Sequence, residues 1–450
     1  MLQAIAGVWA LLLGVGLIML GNGLQGSLLG VRASMEGFHT SITGLVMSGY
    51  FLGLLVGSIA VPKMVARVGH VRCFGALASL ASTSILAHAA FVEPWTWWAM
   101  RLITGFSYAG LYIVTESWLN QASSNENRGQ LLSVYMLISL AGVAGGQFML
   151  NLSHPTGFEL FALISVLISL AVIPILISVT PAPTLETPES AGIALLYKVS
   201  PLGVMGMFLS GATMGAIFGM GAVYATDVGL SVADVSIFMA AIFLGGAVAQ
   251  YPLGKLSDMV GRRQVIIVSS AIGGAIAFGA SVYSGGGWPL FGIMAVLGAF
   301  VMPLYSLCVA HTNDYLNPQQ MVAASGTLVL INATGAVVGP PATAFAMDYL
   351  GSPAFFWSIS LTLGAVGLFA LWRSFQREAP SGEEVGDFVA MAPVAITPGF
   401  TPDVDEEEME AWVEEAEPVE AIFEELIEEL HGDGGDSPRD VAAETDQEKR

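Results

Sequence analysis

Gly254-Lys255-Leu256-Ser257-Asp258-Met259-Val260-Gly261-Arg262-Arg263 has a degraded copy earlier in the chain, Pro62-Lys63-Met64-Val65-Ala66-Arg67-Val68-Gly69-His70-Val71-Arg72. The offset is constant: 254 − 62 and 261 − 69 both give 192. Each copy is a short basic turn between two long apolar runs. Two such turns at a fixed spacing imply a duplicated, membrane-embedded scaffold with its basic loops on one side, the construction of a carrier with an internal repeat.

Working outward, hydrophobic residues make up 54% of the 450 and charged ones 11%. A spanning helix needs roughly 20 apolar residues, and residues 1–375 hold a series of such runs. Lipid offers the backbone no hydrogen-bond partners, so these runs must be helical. The alternation of a transmembrane barrel is absent. The net charge of −21 is unevenly distributed: residues 376–450 carry 24 acidic and 4 basic side chains, which leaves 12 and 11 for the body. Nothing here is basic enough for nucleic acid. Cys73 and Cys308 lie in apolar runs and read as small hydrophobes rather than a disulfide or metal pair. The first apolar run lacks a basic leader and a convincing cleavage site, so it reads as a retained helix.

The expected architecture is an all-α membrane protein of twelve transmembrane helices, in two six-helix bundles at 1–180 and 201–375. A polar linker, 181–200, separates them, and an acidic cytoplasmic tail follows at 376–450. Lysine and arginine set the orientation. With both termini inside, Lys63, Arg67, Arg72, Arg128, Lys198, Lys255, Arg262, Arg263, Arg373 and Arg377 fall on cytoplasmic turns or helix ends, and only Arg32 falls outside. The chain is therefore expected to be a multi-pass protein of the cytoplasmic membrane, with the lipid bilayer as its surroundings. Asn151-Leu152-Ser153 and Asn332-Ala333-Thr334 match the glycosylation sequon, but both lie in or at the end of an expected helix and read as chance.

In the basic turns, Gly254 or Gly261 lets the backbone reverse where a Cβ would obstruct. Asp258 can face the positive end of a neighbouring helix or pair with an arginine, which suits a gate latch formed with Arg262 and Arg263. Gly254-x-Leu256-Ser257-Asp258-x-x-Gly261-Arg262-Arg263 resembles the signature turn of the major facilitator superfamily. That resemblance covers residues 1–375 and implies two six-helix bundles around a central cavity. The first copy departs from it: Pro62 replaces the glycine and Ala66 the aspartate.

Arg101 sits about 7 Å inside the fourth helix, where an arginine costs several kcal/mol unless it faces water or an acceptor. At 100° per residue, Thr104, Gly105, Tyr108, Tyr112 and Thr115 share its side, with Glu116 at the margin. A cavity wall explains this polar stripe; the alternative is an interfacial arginine that snorkels outward. Arg101-x-x-x-Gly105 is similar to the superfamily's helix-4 motif, whose arginine is implicated in proton coupling in exporters, although Thr104 replaces the glutamine often found there. Glu116-Ser117-Trp118-Leu119-Asn120 and Tyr305-Ser306-Leu307-Cys308-Val309-Ala310-His311-Thr312-Asn313-Asp314 resemble the YcaD-like permease branch. Glu116 is a candidate proton carrier, while His311 and Asp314 are either gate residues or local helix caps. Asn22 and Gln25, three apart, share a face and with Tyr108, Tyr112 and Tyr305 complete the candidate substrate and proton pathway. A Gly-Pro pair occurs in the eleventh helix (Gly339-Pro340) rather than the fifth, where many antiporters of the superfamily carry it.

Within the tail, Met409, Trp412, Ala416, Val419, Phe423, Leu426 and Leu430 recur at spacings of three and four. The stretch 404–430 reads either as an acidic amphipathic helix for a protein partner or as a solvated tail. No nucleotide-binding loop, clustered catalytic set or cofactor motif occurs, so no enzyme activity or cofactor is expected. The expected function is secondary transport of a small organic molecule by alternating access, coupled to protons. The rival reading is a sensor that uses the cavity for detection and the tail for a partner.

Overall fold

The computed structural model describes residues 2–122, 128–177, 192–283 and 285–376. The acidic tail from 377 onward, including the 404–430 stripe, and most of the 181–200 linker lie outside these residues. Among the described residues the chain is helical, without strands: α1 (Leu2–Met35), α2 (Thr40–Val68), α3 (His70–Ala90), α4 (Pro94–Ala122), α5 (Arg128–Met149), α6 (Glu159–Ile177), α7 (Ile193–Val199), α8 (Pro201–Asp227), α9 (Val232–Val260), α10 (Arg262–Ser281), α11 (Trp288–Val301), α12 (Pro303–Asn313), α13 (Pro318–Leu350) and α14 (Ala354–Ser374).

Among the described residues eleven segments are long and apolar enough to cross a membrane, with α11 and α12 counted as one. At 29 residues α4 has the length but is not among them. Its Arg101, Thr104, Ser107, Thr115 and Glu116 lower its hydropathy, and all five are buried. The expected count of twelve therefore stands at eleven by composition. Outward-facing apolar side chains such as Val248 (77% exposed) and Leu361 (75%) are normal against lipid and would be a liability in water. Trp95 and Trp288 are exposed at the first turns of α4 and α11, where tryptophan marks a membrane interface.

The repeat read from the basic turns is written into the backbone. Gly69 and Gly261 end α2 and α9 at φ +91° and +97°, and Gly37 and Gly229 follow α1 and α8 at φ +72° and +80°. Each pair is 192 residues apart. In this left-handed region a Cβ is strained, so glycine is what lets both helices stop and reverse. Of the two glycines expected to turn the chain, Gly261 does so. Gly254 instead lies buried inside α9.

Helix packing repeats as well, at 192 residues between α2 and α9 and at 193 between α4 and α11 (Leu102/Ala295, Gly105/Gly298). A Cβ at Gly53 of α2 would overlap the Leu102 carbonyl oxygen of α4, and one at Gly245 of α9 would overlap the Ala295 carbonyl oxygen of α11. In return, a Cβ at Gly105 would overlap the Tyr50 carbonyl oxygen, and one at Gly298 that of Ile242. Gly53/Gly245 and Tyr50/Ile242 are both 192 apart. In each case two backbones touch through small residues, the usual mode of association in lipid. Gly49, Gly53 and Gly57 form a four-residue-spaced stripe along α2 that seats it on α4.

Two local features differ from expectation. Within the second half, where the sequence led to six unbroken helices, the span Trp288–Asn313 is interrupted: α11 ends at Val301 and α12 begins at Pro303. Proline lacks an N–H and its ring clashes with the carbonyl four residues back. In the linker, 193–199 forms the short helix α7, with Leu196 buried.

Candidate functional site

A cavity lies among α1, α2, α4, α5, α8, α9, the α11/α12 break and α13. Its two sides differ. From the first half come Asn22, Ser27, Tyr50, Arg101, Tyr112, Tyr135, Ser139 and Gln147. The second half contributes Met214, Phe218, Met239, Phe243 and Met302, with Asn332 as its polar residue.

Close packing of α2 on α4 makes the centre of this site. The Gly53 and Gly105 contacts bring the two backbones together, so that the Arg101 guanidinium lies 4.5 Å from the centroid of the Tyr50 ring. Arg101 is 4% exposed, and its Nε has no hydrogen-bond partner. Among the described residues no ion pair to it is formed. A cation over an aromatic face gains about 0.5–2 kcal/mol, whereas removing an ion from water costs several kcal/mol. The Tyr50 ring alone leaves that charge undercompensated.

A hydroxyl and amide network surrounds the guanidinium. Tyr50 Oη donates to Asn22 Oδ1 at 3.3 Å, and Asn22 Nδ2 donates to Tyr112 Oη at 2.9 Å. Tyr112 Oη donates to the Met19 thioether at 3.8 Å, a weak acceptor. Gln147 is held from both sides, by Ser27 Oγ and by the Gly23 carbonyl at 3.0 Å. Ser139 Oγ is buried beside the Tyr135 hydroxyl.

Of the seven expected pathway residues, Arg101, Asn22 and Tyr112 line the cavity. Gln25 does not, although it shares a helix face with Asn22: it is fully buried, and neither amide atom has a partner. Tyr108 lies behind the wall, edge-on to Tyr50 and Tyr112, with its hydroxyl unbonded. Glu116 is buried and accepts from Tyr135 Oη at 3.0 Å, so it reaches the cavity through a lining residue. Tyr305 is buried outside the lining. The α4 stripe is divided among neighbours: Arg101 and Tyr112 face the cavity, Thr104 bonds Ser84 of α3 at 2.8 Å, and Gly105 abuts α2. Tyr50 and Tyr135 were not anticipated. The available signal was a phenol inside an otherwise apolar helix.

At the basic end, Arg262 Nε meets Asp314 Oδ2 at 2.9 Å and Arg262 Nη1 meets Asp258 Oδ1 at 3.4 Å. Arg263 Nη2 donates to Tyr315 Oη at 3.0 Å, and His311 stands edge-on to the Tyr315 ring. These pairs join α9, α10 and the end of α12, all within the second half. At the opposite end the contacts cross between halves. Asp348 of α13 accepts from the Ser41 backbone N–H at 2.9 Å and pairs with His39 Nδ1 at 3.0 Å. Asn151 Nδ2 donates to Ser236 Oγ at 3.0 Å.

Asp314 lies one residue beyond its span. Burial pushes its carboxyl up from 3.8 to about 6; the Arg262 guanidinium opposes this and Asp258 adds to it. The folded protein thus holds this proton more tightly than the unfolded chain. That stabilisation is complete below about pH 3.8 and is lost as pH rises through about 6. Thermal unfolding in detergent should show a midpoint that falls between pH 4 and 7, with a shallower fall for Asp314→Asn. An identical slope in the variant contradicts the assignment.

The sequence model of the Major Facilitator Superfamily matches residues 11–204 and again 202–401. The MFS-type transporter YcaD of Escherichia fergusonii is 28% identical over 321 residues, covering 70% of this chain and 82% of that protein. Among solved structures, the nucleoside transporter NupG superposes with a TM-score of 0.67 at 14% identity, covering 82% of this chain and 100% of that one. The fucose:proton symporter FucP of E. coli superposes with a TM-score of 0.54 at 12% identity, covering 82% and 99%.

Proposed function

The chain belongs to the major facilitator superfamily, in its YcaD-like branch, and from this premise we propose that its cavity carries a small organic molecule across the cytoplasmic membrane by alternating access, coupled to protons. It is a transporter of the membrane-spanning type and not an enzyme. The observation that carries the finer reading is the cavity itself, walled by both halves and centred on the buried charge of Arg101.

In this reading α4 is the twelfth span, and the halves are six-helix bundles at 1–180 and 201–375, joined by the 181–200 linker. Both termini face the cytoplasm with the basic turns. The His39, Ser41 and Asp348 contacts hold the outer end closed and part when the halves rock. Asp258, Arg262, Arg263, His311 and Asp314, with the Gly261 turn and the Gly254 packing site, brace the inner gate. Glu116 carries the proton, and its bond to Tyr135 links that proton to the cavity. FucP, a fucose:proton symporter, has a similar fold, which supports this reading.

The test is proteoliposome flux under an imposed pH gradient. Glu116→Gln should abolish gradient-driven accumulation, by at least about tenfold, while solute exchange without a gradient persists. Wild-type accumulation by Glu116→Gln would remove Glu116 from the proton path.

A further inference from the structure

We propose that the cavity is built for an amphipathic organic monoanion: a single carboxylate-type head seated on Arg101 and an apolar body lying on the methionine and phenylalanine wall of the second half. This rests on the transport reading and names the substrate class for the same cavity.

Charge comes first. Among the described residues that line the cavity, Arg101 is the one charged side chain, and none of them is a carboxylate. A buried guanidinium in lipid needs an anion, and here the chain supplies only the face of Tyr50. One cation accommodates one negative charge. It repels amines and leaves a second carboxylate of a dianion without a partner.

Donors for the head group are already in place. The guanidinium Nε is unbonded, and Ser139 Oγ lines the cavity beside the Tyr135 hydroxyl. The Tyr112 hydroxyl points its proton at a thioether sulfur 3.8 Å away, a contact that a carboxylate oxygen would displace. Planar guanidinium matches planar carboxylate with two parallel bonds.

The opposite wall is chemically different. Met214, Phe218, Met239, Phe243 and Met302 offer thioethers and rings. Asn332, the polar residue there, already donates to the Met207 carbonyl at 3.0 Å. Methionine side chains adapt to varied apolar shapes. A sugar would need polar partners on both sides and finds them on one.

Comparing the repeats shows how the asymmetry arose. Phe51 and Phe243 line the cavity at positions 192 apart, and so do Asn22 and Met214. Tyr50, whose ring carries the guanidinium, has Ile242 as its counterpart, and Arg101, by the 193-residue offset of the α4 and α11 packing positions, has Met294. One half keeps the polar anchors where the other holds apolar residues, so a molecule across the axis meets a charged end and a greasy end.

The experiment uses the full-length protein purified in detergent. Thermal-shift and calorimetric titrations compare 4-phenylbutyrate with its amide, with 4-phenylbutylamine, acetate, glutarate, glucose and sodium chloride. The expected result is saturable binding of 4-phenylbutyrate, at least about tenfold tighter than the amide or acetate. Arg101→Lys should weaken it, and Arg101→Gln should bind acid and amide alike. Phe243→Asn should narrow the gap between 4-phenylbutyrate and acetate. The proposal is overturned if amide or amine binds as tightly as acid, if acid preference survives in Arg101→Gln, if chloride alone gives the full shift, or if no probe binds. Because wild-type protein already compares acid with amide, a poorly folding variant does not blunt the test. Proteoliposome flux separates the two readings. Acid-selective binding without flux leaves this inference standing and sinks transport; flux of a sugar or amine without acid binding does the reverse.

Discussion

Arg101→Met should abolish transport and at the same time raise the thermal midpoint of the protein. The two effects have one cause. A buried guanidinium, 4% exposed and without an ion pair among the described residues, is a cost to the fold that the Tyr50 ring only partly offsets. Replacing buried charge by a well-packed apolar side chain of similar volume is often stabilising, by about 1–4 kcal/mol. A group retained at the expense of stability is retained for what it does. Solute-dependent collapse of an imposed pH gradient in proteoliposomes should fall at least about a hundredfold in this variant. An Arg101 that served only structure would give the opposite pair of results, with a lower midpoint and normal transport.

Gly105→Leu should prevent recovery of folded protein. A Cβ at this position overlaps the Tyr50 carbonyl oxygen and comes within 3.0 Å of the Leu54 nitrogen. Neither is a flexible side-chain end, so α2 and α4 would have to separate. Separation would also undo the close approach at Gly53, where the lack of a Cβ lets the α2 and α4 backbones touch. Overpacking usually costs about 1–3 kcal/mol, and a Cβ driven into two backbone atoms of α2 exceeds that range. Gly75→Ala on α3 and Gly292→Ala on α11 are the controls, because nothing lies within 4 Å of a Cβ at either. There, exchanging glycine for alanine in a helix gains about 0.5–1 kcal/mol. Size-exclusion profiles in detergent distinguish the outcomes: aggregated Gly105→Leu beside monodisperse controls supports the packing, and monodisperse Gly105→Leu refutes it.

The parts of this protein that were legible in its sequence are those written in local rules. Apolar run length located the spans, and the basic echo located the repeat, which reappears in the paired turns at Gly37/Gly229 and Gly69/Gly261. Arg101 was legible because a charge in an apolar run has few explanations. Tyr50 and Tyr135 were not, because a phenol in such a run is as compatible with packing as with a cavity, and only the partner helix decides. Asn22 and Gln25 show the same limit: three residues apart on α1, one lines the cavity and the other is sealed inside the bundle. The break between α11 and α12 follows from Pro303, yet the apolar run continues across it and hides it from hydropathy. The four-residue glycine stripe of α2 emerged only with the structure, because seating Tyr50 under Arg101 is a property of two helices together.

Accessibility of one cavity position from both membrane faces tests the central claim most directly. In a background with Cys73→Ala and Cys308→Ala, Ala333→Cys places one thiol on the cavity wall. A membrane-impermeant thiol reagent should modify it in right-side-out and in inverted vesicles alike. Adding a crosslinked Ser41→Cys and Asp348→Cys pair, across the contact between halves at the end opposite the basic turns, should block modification from that side alone. Labelling from a single side in the untethered protein, or a tether without effect on either side, would contradict a cavity that opens to each face in turn.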